Sequence, residues 1–518
     1  MKAADLPLYY NAVNILEHNL AARADKPALL TAERQLTFRQ VSEEVNRVGN
    51  ALKRLDVRAG EMVGILAPDC AEWVTSFFGV LKIGAIAVGM NTLLKPPEHA
   101  YVLRDARARA LIVHASLLPA IESIRAELDF LKHLIVIGGS TGRPGDFTFG
   151  DWMQGESSEL AGTSTHRDDF CSLNYSSGTT GEAKGILHAH KDYPLTAQLW
   201  GVNVLGLRQG DRCFGAPRLF FTFGTGGVLI FPWYVGASTV LMAAPPRVAT
   251  NVLETIHRFQ PTIHYNAPTG YAAMLAHDDF KNRQYDLSSL RVCVSAGEAL
   301  PAPIWQAWKD ATGLDIIDGI GSTENFHIFI SNRPGDIRPG SSGKPFAGYE
   351  VKLVDENGDQ VQPGEIGNLL VKGETAALFY VHQSERSRRT FQGEWLFTGD
   401  KYYADQDGYY WHAGRSDDML KVGGIWASPV EVESALIGHP AVLECAVVGQ
   451  PDASNLIKPK AFVVLKEGYR PSDELARELI LHCREKMAEY KRPRWIEFVT
   501  ELPKTATGKI QRFKLRAP

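Results

Sequence analysis

Asn174-Tyr175-Ser176-Ser177-Gly178-Thr179-Thr180-Gly181-Glu182-Ala183-Lys184-Gly185 is the stretch on which the reading of this chain turns. Hydroxyl side chains (Ser176, Ser177, Thr179, Thr180) alternate with glycines (Gly178, Gly181, Gly185), and the run closes on Lys184. Glycine lets backbone N–H groups converge in conformations that other residues resist. Converged N–H groups, hydroxyl donors and one ammonium make a cradle for a polyphosphate. The run departs from the common P-loop, which has Gly before its Lys and Ser or Thr after it. Ala183 and Gly185 stand there instead, so the hydroxyl that reaches magnesium in that motif is missing. A flexible Ser/Gly linker is the alternative. The lysine directly after the loop and the apolar Ile186-Leu187 beyond it argue against a linker.

Outward from the loop, the chain has ordinary globular composition: 518 residues, 45% hydrophobic and 22% charged. At ~150 residues per domain this suggests roughly three domains. A net charge of −4 and a pI near 6.4 argue against a nucleic-acid surface. Cys70, Cys171, Cys213, Cys293, Cys445 and Cys483 are scattered without short pair spacing, which fits a reduced compartment and no zinc site. The start, Met1-Lys2-Ala3-Ala4-Asp5, has no signal-peptide core, so a cytoplasmic location is expected. Phe220 to Ala244 carries no charge and has the length of a membrane span. Gly224, Gly226, Gly227, Pro232 and Gly236 interrupt it, and mean hydropathy is −0.15, so it reads as a buried turn, helix and strand with no membrane association.

Helix and strand signals alternate through the first third. Thr37-Phe38-Arg39-Gln40 reads as a capping box, and Val41, Val45, Val48 and Leu52 repeat on one helical face. Met62–Leu66 reads as a strand stopped by Pro68, Ala71–Ile83 as a helix, and Ala85–Val88, Ala110–Val113 and Leu134–Ile137 as further strands. Continuous apolar strands between helices imply a parallel sheet covered on both faces. The alternation resumes at Val240–Met242, Ile263–Tyr265, Val292–Val294 and Ile316-Ile317. From about Gly335 the texture becomes glycine-punctuated and antiparallel, as in Tyr349–Val354 and Gly367–Val371. A boundary falls near Gly414, before the charged connector Arg415-Ser416-Asp417-Asp418. Strands at Cys445–Val448 and Ala461–Leu465 and a helix over Asp473–Tyr490 make a small α+β unit. The fold class is α/β: parallel sheets over about residues 1–170 and 171–334, a β subdomain over 335–414, and an α+β C-terminal domain over 415–518. Gly138-Gly139-Ser140-Thr141-Gly142 matches a nucleophile elbow, but Arg143-Pro144 rather than a helix follows, so it reads as a surface loop.

Other dense motifs follow in order. They are Ser295-Ala296-Gly297-Glu298, Asp318-Gly319-Ile320-Gly321-Ser322-Thr323-Glu324, Thr398-Gly399-Asp400, Gly414–Gly424 and Pro503-Lys504-Thr505-Ala506-Thr507-Gly508-Lys509. As an ordered set they resemble the adenylate-forming superfamily of acyl- and aryl-CoA ligases, peptide-synthetase adenylation domains and luciferases. Asn266-Ala267-Pro268-Thr269-Gly270-Tyr271, Asp318–Glu324 with His327, and Pro503–Arg512 look most like benzoate-CoA ligases.

The resemblance implies the following roles. Ser176, Ser177, Gly178, Thr179, Thr180, Gly181 and Lys184 hold the ATP phosphates, Glu324 holds Mg²⁺, and Thr323 bonds the α-phosphate. Asp400 accepts from the ribose hydroxyls beside Arg415, while Ala296, Gly297, Glu298, Asp318, Gly319 and Ile320 complete the nucleotide site. Lys509 bridges carboxylate and α-phosphate. The terminal domain turns about Asp417 and presents Gly423-Gly424 to the pantetheine arm of coenzyme A. Lys421 and Lys504 are read as solvated charges.

Three positions depart from the commonest pattern: Ala183 replaces the proline before the lysine, Ile320 an adenine-stacking tyrosine, and Phe221 a gate histidine. A benzoate-like ring wants flat apolar walls. Phe221, Phe223, Tyr265, Ala267, Gly297, Gly319, Ile320 and Gly321 are expected to supply them, the glycines by letting the ring approach backbone. His327 either reads a ring substituent or is a satisfied core histidine. The expected activity is an ATP-dependent aryl-acid CoA ligase acting on benzoate or a substituted benzoate such as 2-aminobenzoate, in a monomer or homodimer. Loading of a carrier protein, a light-emitting oxygenase and a silent adenylate sensor are the alternatives.

Overall fold

The computed structural model describes residues 1–178, 181–422, 425–452, 456–504 and 510–516. Strands are numbered in chain order. β3 (Met62–Leu66), β4 (Ile86–Gly89), β5 (Ala110–His114), β6 (His133–Ile137), β7 (Phe147–Thr148), β8 (Phe170–Gly178) and β9 (Gly181–Ala189) form one seven-stranded sheet. Its order is β7-β6-β5-β3-β4-β8-β9, and only the β8–β9 pair is antiparallel. The helix Phe38–Arg54 begins where the sequence places it, with Thr37 Oγ1 accepting from the Gln40 amide and Gln40 Oε1 accepting from that of Thr37. It packs on the helix Ala71–Lys82, and Val41, Val45, Val48 and Leu52 are all fully buried.

The second sheet has nine strands in the order β16-β15-β14-β13-β12-β10-β11-β1-β2. It joins β1 (Pro27–Leu30) and β2 (Gln35–Thr37) to β10 (Arg212–Gly215), β11 (Ser238–Val240), β12 (Ile263–Asn266), β13 (Val292–Ser295), β14 (Ile316–Gly321), β15 (Ile328–Ser331) and β16 (Lys344–Pro345). The two sheets therefore interleave along the chain: β1 pairs parallel with β11, while β8 and β9 return to the first sheet. Residues 220–242 are largely buried as expected, with Ala243 and Ala244 exposed, but the helix Thr222–Gly224 passes through a π-helical segment, Thr225–Ile230, into Phe231–Val235. Among the described residues no helix is long and apolar enough to cross a membrane.

β17 (Tyr349–Val354), β18 (Gly367–Gly373), β19 (Phe391–Gln392), β20 (Trp395–Ala404) and β21 (Tyr410–Arg415) form the antiparallel sheet. Beyond it lie the hairpin β22–β23 (Leu420–Val422, Ile425–Ala427) and the three-stranded β24-β25-β26 (Val442–Pro451, Ile457–Leu465, Trp495–Phe498), with its own apolar core against the helices Pro429–Ile437 and Asp473–Lys486. Ser140 lies in an exposed loop, as its sequence context requires.

Candidate active site

β12, β13 and β14 run parallel and adjacent, and their carboxyl ends deliver Ala267, Ala296–Glu298 and Gly319–Glu324 to one edge of the sheet. Ligands of open α/β sheets gather at such an edge. The hairpin β8–β9 approaches it from the other sheet and carries Lys184. Lys184 Nζ lies 3.2 Å from Glu324 Oε1, and the Tyr380 hydroxyl donates to the same oxygen at 2.7 Å. Burial alone would raise the Glu324 carboxyl, but the Lys184 ammonium and the Tyr380 hydroxyl outweigh it and hold it below its ordinary value. Lys184 also sits over the Tyr380 ring, 4.8 Å from its centroid.

Glu324 stands on a 3₁₀ turn, Thr323–Asn325, followed by Phe326 at φ 69°. A bulky residue at positive φ is strained and persists where neighbours over-determine it. The Glu324 carbonyl accepts from the Ala377 amide (2.7 Å), and that of Asn325 from Thr375 Oγ1 (3.2 Å). Ser322 caps the turn through the Asn325 amide.

Asp400 and Arg415 pair across β20 and β21, with Arg415 Nη1 3.1 Å from Asp400 Oδ1 and His412 Nε2 3.5 Å from the same oxygen. Burial opposes ionisation of Asp400, yet Arg415 and His412 hold it well below the usual carboxylate range. A cavity of about 300 Å³ opens between the two groups, lined by Lys184, Tyr380, Arg386, Arg389, Thr398 and Arg415. Its cations suit a polyphosphate. Asp318 behaves oppositely: burial pushes its carboxyl well up, with Ser295 and the Leu300 and Gly319 amides opposing.

The aromatic positions converge only in part. His327 lies 5.4 Å from Phe223, 5.0 Å from Trp200 and 4.6 Å from Phe231, centroid to centroid. Tyr265 lies 5.8 Å from Phe223. Gly226 and Gly227, in the π segment, admit this packing: a Cβ on Gly226 would come within 2.7 Å of the His327 ring, and one on Gly227 within 2.6 Å of the Tyr265 ring. The Tyr265 hydroxyl closes no hydrogen bond among the described residues, and the His327 ring nitrogens meet the Phe223 backbone only outside good bonding geometry. Burial pushes the His327 imidazole down to about 3. Phe221 packs instead on Phe220, at 4.4 Å.

Gly319 and Gly321 also have a part in the fold itself. Their missing side chains make room for the protein's own backbone, since a Cβ would meet the Ile330 carbonyl at 2.7 Å and the His327 carbonyl at 2.5 Å. Ile320 between them pairs with Ile330 in the β14–β15 ladder. Lys504 pairs with Glu444 at 2.6 Å rather than standing in solvent alone. Thr179, Thr180, Gly423, Gly424 and Lys509 lie outside the described residues, as do the side chains of Ser177 and Lys421. The Asp417 carbonyl accepts from Arg516 at 2.8 Å.

Sequence reasoning missed Tyr380, His412, Arg386, Trp200 and Phe231. Tyr380 had one signal, an apolar run beginning Ala376-Ala377-Leu378, but only the pairing of Tyr380 with Ile186 on β9 brings it to Glu324.

The comparisons agree with this geometry. Residues 16–381 match the AMP-binding enzyme family and 431–509 the AMP-binding enzyme C-terminal domain. The chain is 45% identical to the benzoate–CoA ligase of Thauera aromatica, over 99% of this chain and 97% of that one. It is 39% identical to the 4-hydroxybenzoate–CoA/benzoate–CoA ligase of Rhodopseudomonas palustris, over 98% and 94%. Among solved structures, an anthranilate CoA ligase in complex with anthranoyl-AMP superposes with TM-score 0.97 at 71% identity, covering 99% of this chain and 98% of that one. A benzoate CoA ligase from Burkholderia xenovorans superposes with TM-score 0.91 at 40% identity, covering 98% and 100%.

Proposed function

This chain belongs to the AMP-binding enzyme family and is an AMP-forming aryl-acid CoA ligase, and we propose that the acid it activates is 2-aminobenzoate. The observation that carries the choice of acid is the buried aromatic cluster in which the Tyr265 hydroxyl and the His327 ring lack a well-made hydrogen bond. Buried polar groups without partners are costly, and an ortho amino group is a donor and acceptor that answers them. A relative with 71% identity holds the corresponding aminobenzoyl-adenylate.

In the first half-reaction a carboxylate oxygen attacks the α-phosphorus of ATP. The α-phosphorus–oxygen bond to the β-phosphate breaks, and pyrophosphate leaves. Two anions must meet, so cationic neutralisation dominates the barrier. Lys184 and the hydroxyls of its loop hold the β- and γ-phosphates, Thr323 orients the α-phosphate, and Asp400 takes the ribose hydroxyls with Arg415 and His412 setting its charge. Glu324 fits as the protein ligand of Mg²⁺: it is an ionised carboxylate beside a polyphosphate cavity, and the described residues form no all-protein cluster for a metal. Bound there, Mg²⁺ would neutralise phosphate charge. Lys509 bridges the reacting carboxylate and phosphate. In the second half-reaction the coenzyme A thiolate attacks the acyl carbon and AMP leaves, with the C-terminal domain turned about Asp417 and the pantetheine arm beside Gly423-Gly424.

The test is pyrophosphate release with benzoate and its 2-amino, 3-hydroxy and 4-hydroxy derivatives, with and without coenzyme A. The highest kcat/KM is expected for 2-aminobenzoate, with thioester formed on free coenzyme A. Adenylate that passes only to a phosphopantetheinyl protein would replace the acceptor. A preference for benzoate would replace the acid.

A further inference from the structure

His188 lies on β9 on the same face as Lys184, since side chains two and four residues apart share a strand face. It is fully buried. Its Nε2 lies 2.7 Å from the Thr323 carbonyl oxygen and its Nδ1 2.9 Å from Asp192 Oδ2. Asp192 Oδ2 also accepts the Ala189 amide at 2.9 Å. Both groups facing the ring are acceptors, yet a neutral imidazole has one N–H. The carbonyl only accepts, so Nε2 carries a proton, and a second proton belongs to the Nδ1–Asp192 contact. The remaining edge of the ring meets Phe326, at 5.3 Å between centroids, and Phe326 packs on Tyr193 at 4.6 Å.

Phe326 is the residue held at positive φ, and Thr323 opens the turn that carries Glu324. The three carbonyls of that turn are held from three different places outside it: Thr323, which also accepts the Phe326 amide of the turn, by His188, Glu324 by the Ala377 amide, and Asn325 by Thr375. His188 is the member that comes from the loop strand. One face of β9 thus grips consecutive residues of the turn twice, Lys184 through the Glu324 carboxylate and His188 through the Thr323 carbonyl.

We infer that His188, held by Asp192, is a positioning residue of adenylation that locks the Thr323-Glu324 turn to the phosphate-loop strand. It touches no substrate and acts through Thr323 and Glu324, so the inference rests on the adenylation roles assigned to those two residues above. Its loss should slow acyl-adenylate formation and spare transfer of a ready-made acyl group.

The test uses the full-length enzyme with H188A, H188Q, D192N and E324Q. Pyrophosphate release reports the first half-reaction, thioester formation from supplied aryl-adenylate reports the second, and thermal melting reports folding. H188A is expected to lower kcat of adenylation at least tenfold and leave thioester formation within twofold. H188Q keeps an N–H for Thr323 and should recover part of the loss, and D192N should fall in the direction of H188A. Half-reactions that fall together in proportion to folded protein overturn the inference. So does loss of adenylation in E324Q with H188A and H188Q unaffected. Full adenylation by E324Q removes the premise, and the inference with it.

Discussion

Tyr380 donates to the oxygen of Glu324 that also faces Lys184, so removing its hydroxyl leaves a buried carboxylate with one partner fewer. Hydrogen bonds to charged groups are worth about 1.5–3 kcal/mol. Y380F should therefore raise KM for Mg·ATP by about tenfold or more, read by pyrophosphate release, while the aryl-acid KM stays put. An unchanged KM for ATP would show that the hydroxyl has no part in holding Glu324. At the other end of the site, H327F keeps the ring packing against Phe231 and Trp200 and deletes the nitrogens. Discrimination between 2-aminobenzoate and benzoate should fall by about an order of magnitude, as expected when a site loses the polar group that reads a substituent. Equal kcat/KM ratios in variant and wild type would refute that role. Residues that carry their chemistry in a local motif were legible in sequence: Lys184 and Glu324 meet, and Asp400 meets Arg415. Tyr380, His412 and His188 were not, because their roles are set by strand pairs and a docked turn that join distant parts of the chain.

Elements of the first third declared by local physics came through within a residue or two, while in the last domain the strands run longer than read and the helix from Asp473 stops at Lys486 rather than Tyr490. The capping box at Thr37 starts its helix, and the apolar runs at Met62, Ala110 and Leu134 are strands. What local reading does not show at this scale is the second use of a glycine: Gly319 and Gly321 also make room for β15 and the residue before it. The connector near Asp417 carries the element-scale prediction. Proline fixes φ near −65° and removes an N–H, so D417P should impair one half-reaction far more than the other. A uniform loss, or none, would count against a hinge there. K509A should in turn abolish adenylation and leave thioester formation from supplied adenylate largely intact, because one step uses that charge.

For the whole molecule, the class of fold followed from alternating helices and apolar strands, but the assignment of strands to sheets did not. Pairing of β1 with β11 is a contact between distant segments, and neither strand bears any mark of its partner. Titration is the second property of the whole. Burial depresses His190 to about 4 and His264 and His327 to about 3, against about 6.5 in the unfolded chain. Below pH 6.5 the unfolded state binds protons that these three folded rings refuse, so they pull stability down as pH falls, while the buried Asp69 and Asp318 carboxyls, pushed up, pull it the other way. Each group contributes on the order of 1.4 kcal/mol per pH unit, roughly 4 kcal/mol per unit for three, until the folded values are reached. The check is therefore residue by residue: the ring NMR shifts of His190, His264 and His327 should stay those of neutral imidazoles between pH 7 and 5.5, and protonation of any of them in that window would contradict the buried, neutral rings. The interleaving of the sheets also dictates a timetable for biosynthesis. A ribosome that has released the first two hundred residues has made a strand pair near the start whose neighbour does not yet exist. Until Ser238–Val240 emerges, Leu29 and Leu30 wait without their partners Thr239 and Val240, an apolar edge that a chaperone is suited to shield.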